Sequence, residues 1–129
     1  MSARREIVLQ AHDALNSGDL GSLLPLCAPD FRLDMSDRVL NPAVYERHEG
    51  IRHFYAEVTE MRESFTWEPV DMREQGDAVV VQVHSTGKGR GSGLELDRNS
   101  AMLWRAGQKK ASSLTFYRDA GQALEAAQD

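Results

Sequence analysis

The sequence predicts an α+β fold, and three observations carry that reading. Apolar residues recur at helical spacing over residues 4–17 and again over residues 49–63. Alternating, strand-like segments then follow one another from residue 65 to residue 117, with short turns between them. Helices first and consecutive antiparallel strands afterwards is the α+β order, not βα alternation. The 129 residues fit one domain spanning 1–129, long enough to bury a core without disulfide or metal staples.

The elements follow in chain order. Ile7, Val8, Ala11, Ala14 and Leu15 share one face of the first helix, which Asn16-Ser17-Gly18 stops, Gly18 supplying a left-handed cap. Asp19 caps a second, short helix whose apolar stripe is Leu20, Leu23, Leu24 and Cys27, and Pro25 inside that stripe predicts a kink. Phe31, Leu33 and Met35 alternate with Arg32, Asp34 and Ser36 as a half-buried strand. Residues 37–48 show no period and contain Asn41-Pro42, so they read as an irregular loop. Residues 49–63 return to helical spacing, with Ile51, Phe54, Tyr55 and Val58 on one face. Strands follow at 65–74, 78–85, about 93–105 and 111–117, and residues 122–127 close the chain as a short helix. Gln75-Gly76-Asp77 marks a hairpin turn between the first two of those strands.

Composition excludes several classes. A hydrophobic fraction of 41% with 27% charged residues argues against wholesale disorder. The net charge of −5 argues against nucleic acid or an anionic membrane as the main partner. One cysteine permits no intrachain disulfide and no cysteine metal cluster, and a reducing cytoplasm is the natural compartment. The first ten residues carry no apolar signal-peptide region, so secretion is not expected.

Three stretches then resemble a known family: Leu15-Asn16-Ser17-Gly18-Asp19-Leu20 with Ala28-Pro29-Asp30-Phe31; Tyr45-Glu46-Arg47-His48-Glu49-Gly50-Ile51-Arg52-His53-Phe54; and Tyr117-Arg118-Asp119 with Gln122-Ala123-Leu124-Glu125-Ala126. They are similar to the SnoaL-like branch of the nuclear transport factor 2-like superfamily, which includes ketosteroid isomerase, limonene epoxide hydrolase and polyketide cyclases. The resemblance implies a cone: a curled antiparallel sheet wrapped around three helices, with a buried pocket (a cystatin-like architecture). It also implies a homodimer paired through the outer sheet face, here expected to carry Ala101 and Leu103.

Residue by residue, the family's catalytic carboxylates are missing. The isomerase base falls on Met35, and its neighbour Asp34 points to the opposite strand face. The isomerase oxyanion Asp and the cyclase Asp both fall on Ser100, and the isomerase Tyr falls on Ala11 or His12. Of the hydrolase's Arg-x-Asp, Arg98-Asn99-Ser100 keeps only the Arg, and residues 111–117 hold no carboxylate.

His12 and Ser100 are therefore the candidate catalytic residues. His12 has two readings: a helix-flank residue facing loop or solvent, or a pocket imidazole kept neutral by burial and able to donate and accept. Met35, Phe54, Tyr55, Met102, Trp104, Leu114 and Phe116 are the candidate ligand-lining residues, each of which can equally be plain core. On the strand Val79–His84 either face can be the inner one: Val79, Val81 and Val83, or Val80, Gln82 and His84. Cys27 reads as core filler, and no histidine spacing suggests a metal. The glycines at 87, 89, 91 and 93 suit a hairpin end, with anion contact by Lys88 or Arg90 as the lesser reading.

The functional expectation is a pocket protein for a small apolar or aromatic molecule, working without cofactor or metal. If it is catalytic, the chemistry is acid–base isomerisation, cyclisation or hydration. The alternative is a noncatalytic dimeric association domain with a vestigial pocket. An open cavity joining His12 and Ser100 would favour the first, and a cone filled by Trp104, Phe116 and Met35 the second.

Overall fold

The computed structural model describes residues 2–36 and 43–128. Its elements are α1 (Ala3–Ser17), α2 (Leu20–Leu23), a 3-10 turn (Leu24–Leu26), β1 (Cys27–Asp34), β2 (Val44–Glu46), α3 (Arg47–Met61), β3 (Arg62–Gln75), β4 (Ala78–Gly89), β5 (Glu95–Ala106), β6 (Ala111–Tyr117) and α4 (Ala120–Ala127). The strands form one curled six-stranded sheet in the order β2-β1-β6-β5-β4-β3. All pairings are antiparallel except β1 with β6, which is parallel, so the expected antiparallel sheet is mixed. No described helix is long and apolar enough to cross a membrane.

Local chemistry sets the helix ends. Ser2 Oγ accepts from Arg5 N at 3.2 Å to start α1, and Gly18 ends it at φ 76. A Cβ on Gly18 would stand 2.8 Å from the Tyr55 hydroxyl, so glycine is required there twice over. Asp19 caps α2 through Ser22 N at 3.1 Å and Ser22 Oγ at 2.6 Å. Pro25 then breaks the helix as expected, but more sharply. The chain passes through the 3-10 turn, and Cys27 becomes the first residue of β1 rather than the end of a helical stripe.

The predicted loop over residues 37–48 is corrected in its second half. Residues 37–42 lie outside the described residues, whereas 44–46 pair with β1 as β2 and α3 begins at Arg47. Gly50 lets α3 lie against β2, since a Cβ there would come within 2.7 Å of the Tyr45 carbonyl carbon. Arg90, at the tip of the β4–β5 hairpin, closes the other end of α3. Its Nη2 donates to Thr59 O at 2.9 Å and Arg62 O at 3.3 Å, and its N to Met61 O at 3.0 Å. That is the negative end of the helix dipole, so Arg90 caps α3.

The two sheet faces have separate apolar clusters. The inner cluster joins Val8, Ala11 and Leu15 of α1 and Ile51, Phe54 and Val58 of α3 to Phe31, Leu33, Met35, Trp67, Val79, Val81, Val83, Met102, Trp104 and Leu114. The odd valines of β4 thus face inward, and Val80, Gln82 and His84 face outward. Asp34 turns away from Met35 as expected, and its carboxylate accepts from Ser36 N and Oγ at 2.9 and 2.6 Å.

The outer cluster is Ala78, Val80, Ala101 and Leu103 under Ala123 and Ala127 of α4. The face expected to need a second copy is covered by the chain's own last helix. The argument for a homodimer from Ala101 and Leu103 therefore falls away.

Candidate functional site

β3 is an edge strand, so its outward N–H and C=O groups need partners from outside the sheet. At Trp67 those partners are side chains of α1. Asn16 Oδ1 accepts from Trp67 N at 2.7 Å, and Asn16 Nδ2 donates to Trp67 O at 3.1 Å. The amide thus takes the place of a neighbouring strand. Asn16→Ala should leave the Trp67 N–H unpaired and destabilise the protein by about 1–3 kcal/mol in a denaturant titration.

His12 completes this seam. Its ring is 1% exposed. Trp104 Nε1 lies 3.2 Å from His12 Nε2, and an indole nitrogen can only donate, so Nε2 is the acceptor. Nδ1 then carries the proton and donates to Trp67 O at 3.1 Å. Burial lowers the His12 pKa from 6.5 to about 4, against a smaller raising effect of the Trp67 hydrogen bond. The ring is neutral at pH 7 and does donate and accept, as one sequence reading expected. Both nitrogens, however, serve the protein itself.

Beside the seam the cone is filled with aromatic rings. Phe54 and Trp67 lie 6.1 Å apart, Phe54 and Phe116 6.2 Å, Trp67 and Phe116 6.2 Å, and Phe65 and Trp67 5.1 Å between ring centroids. Tyr55 stacks edge-on to Phe65 at 5.6 Å, and its half-buried hydroxyl, raised in pKa by burial, reaches Leu15 O at 3.5 Å. Phe54 and Trp67 are buried, whereas Tyr55, Phe65 and Phe116 are half-exposed at the rim. Ser85 pairs directly with Trp67 across β3–β4, and its Oγ lies 3.3 Å from Ser100 Oγ. Two hydroxyls therefore face inward on the sheet beside Trp67, Ser85 being buried and Ser100 half-buried.

The expected site residues divide accordingly. Phe54, Tyr55, Phe116 and Ser100 belong to this aromatic end. Met102 is fully buried core, and Met35 packs in the same cluster with 7% exposure. Trp104 and Leu114 lie deeper, with Leu15, Leu23, Cys27, Phe31, Leu33 and Ile51 around an apolar void of about 10 Å³. That is room for about one water and no more. His12 and Ser100 do not share a partner: one bonds Trp67 and Trp104, the other Ser85. The Cys27 thiol in this lining is pushed up to about 12, chiefly by burial, which makes it a poor nucleophile at neutral pH. Among the described residues no three His, Cys, Asp or Glu side chains gather to hold a metal ion.

Trp67, Phe65, Ser85 and Asn16 were not singled out from the sequence. Phe65 and Trp67 do show the period of two, but Pro69 and the irregular register after it hide the face they share.

The cone and its filled aromatic end define an α+β fold of the nuclear transport factor 2-like kind. Residues 8–112 match the SnoaL-like domain, and the chain belongs to that family. No curated protein matches the sequence. Among solved structures it is similar to an NTF2-like protein of unknown function from Burkholderia pseudomallei K96243, 21% identical, with 97% of each chain covered and a TM-score of 0.80. It is also similar to TerC, co-crystallized with polyporic acid: 22% identity, 99% of this chain and 100% of that one, TM-score 0.79. A protein of ketosteroid isomerase-like fold from Catenulispora acidiphila, in complex with trimethylamine, is 20% identical over 95% of this chain and 92% of its own, TM-score 0.78. At these identities the likeness is one of fold.

Proposed function

We propose that the protein binds a small, flat, largely apolar molecule carrying one oxygen at the aromatic end of the cone. In this reading it does not act as an acid–base catalyst through His12. The supporting observation is the Ser85–Ser100 hydroxyl pair on the inner sheet face, with Ser85 directly across from Trp67, which itself packs on Phe65 and Phe116. The rings offer stacking faces, and a Ser hydroxyl offers the single hydrogen bond that orients the ligand oxygen. The ligand would enter past the half-exposed Phe116 and Phe65 at the rim. Against catalysis stands the occupation of both His12 nitrogens. Among the described residues the Ser100 hydroxyl is hydrogen-bonded to Ser85 and to no base that would activate it. The fold of TerC, seen with polyporic acid, is compatible with an organic ligand in such a cone.

The test is a titration with 2-naphthol, read by tryptophan fluorescence and by amide shifts around Phe116. Saturable binding is expected, weakened about tenfold in Phe116→Ala and about two- to tenfold in Ser100→Ala. Unsaturable binding, or affinity untouched by either substitution, would sink the reading. The filled cone favours one other reading, a noncatalytic association domain with a vestigial pocket. Absence of ligand binding together with a dimer by sedimentation would move the assignment there, with the interface away from the Ala101–Leu103 face that α4 covers.

A further inference from the structure

The outer sheet face carries a second concavity, between α4 and the side chains of β3. It encloses about 40 Å³ and is lined by Asp71, Arg73, Val80, Gln82, Ala120 and Leu124. A β-bulge makes it. Pro69 pairs with Val83 and Asp71 with Gln82, which leaves Val70 as an extra residue, 62% exposed. Bulges re-aim the residues that follow them. Without this one, Asp71 and Arg73 would face the core that Trp67 faces. With it, they stand outward beside Gln82 and Val80, and Met72 takes the inward place. α4 rests on β4, β5 and β6, so the outward side chains of β3 form the free wall of the groove.

The lining is chemically mixed. Arg73 Nε donates to Asp71 Oδ2 at 3.3 Å. The terminal nitrogens of Arg73, the other Asp71 oxygen and the half-buried Gln82 amide have no protein partner among the described residues. Val80, Ala120 and Leu124 supply an apolar floor. A simple anion would meet Asp71, and a simple cation would meet Arg73. A zwitterion satisfies both at once, and this selects against singly charged competitors. The volume holds about three water-sized groups, the scale of a head group rather than of a whole large ligand.

We infer that this groove binds the head group of a free aliphatic α-amino acid. Its carboxylate lies on the Arg73 terminal nitrogens and its ammonium on Asp71. The Gln82 amide bonds to either group, and the side chain lies along Leu124 and Val80. The site is on the face opposite the aromatic end and does not depend on the function proposed there.

The experiment is an NMR titration with L-leucine, following the Gln82 side-chain amide and the Ala120 backbone amide. N-acetyl-leucine, which lacks the ammonium, and leucinamide, which lacks the carboxylate, are the comparison probes. Leucine should shift both signals saturably in the millimolar range, and each comparison probe should bind at least about tenfold more weakly. Arg73→Gln and Asp71→Asn, both at exposed positions, should each lose about tenfold in leucine affinity while keeping the wild-type amide spectrum elsewhere. Absence of saturable shifts, equal binding of the three probes, or unchanged affinity in the two variants would overturn the assignment.

Discussion

Trp104→Ala should destabilise the protein by about 3–5 kcal/mol, the range for truncating a buried aromatic residue. Trp104 is 1% exposed and borders the interior void beside Phe31 and Leu114. Its removal enlarges the apolar void beside it. It also strips the donor from His12 Nε2, leaving a buried acceptor unpaired. Trp104→Phe separates the two effects. It keeps most of the packing and loses the hydrogen bond, so about 1–3 kcal/mol is expected from chemical denaturation. A cost below 1 kcal/mol for the alanine variant would mean that the core is not packed around this ring.

The second large effect is in the pH dependence of stability. In the unfolded chain His12 takes a proton as pH falls through 6.5, whereas in the folded protein it resists protonation until about pH 4. Between those values the unfolded state binds more protons, so stability falls as pH falls. The contribution is fully present above pH 6.5 and is lost on the way down to about 4. Integrated over that window it amounts to about 3 kcal/mol. His12→Gln, which cannot titrate, should have a flatter profile by about that amount, even if it is less stable at neutral pH. Denaturant midpoints of both proteins across the window measure the difference. Parallel profiles would show that His12 is not buried as a neutral ring.

Much of the architecture was legible because it is local. Ile7, Val8, Ala11 and Leu15 mark α1, Gly18 its end, and Ile51, Phe54 and Val58 the buried face of α3. Strand existence followed from alternation in the same way. The misread features depend on non-local partners. The parallel pairing of β1 with β6 joins segments about 80 residues apart in the sequence, and no periodicity encodes it. The Val70 bulge changes which residues of β3 face the core, and this appears only once the β4 register is known. α4 settles on Val80 and Leu103, a face that the sequence reading had left uncovered.

The candidate site divides in the same manner. His12 could be placed near the core because it flanks an apolar stripe. Its partners could not be read, because Trp67 and Trp104 meet it across 55 and 92 residues of sequence. Asn16 looked like a helix stop and turned out to clamp the edge of β3 as well. A free strand edge has valences that only tertiary placement can assign to a side chain.

The central claim is that His12 is a neutral tie between α1, β3 and β5, not a proton-transfer group. An NMR titration of its ring nitrogens, with and without 2-naphthol, tests it most directly. The account predicts the Nδ1–H tautomer throughout, no protonation as pH falls through 6.5, and no response to the ligand. A midpoint near 6.5, or a tautomer that changes when ligand binds, would contradict it and return His12 to the list of catalytic candidates.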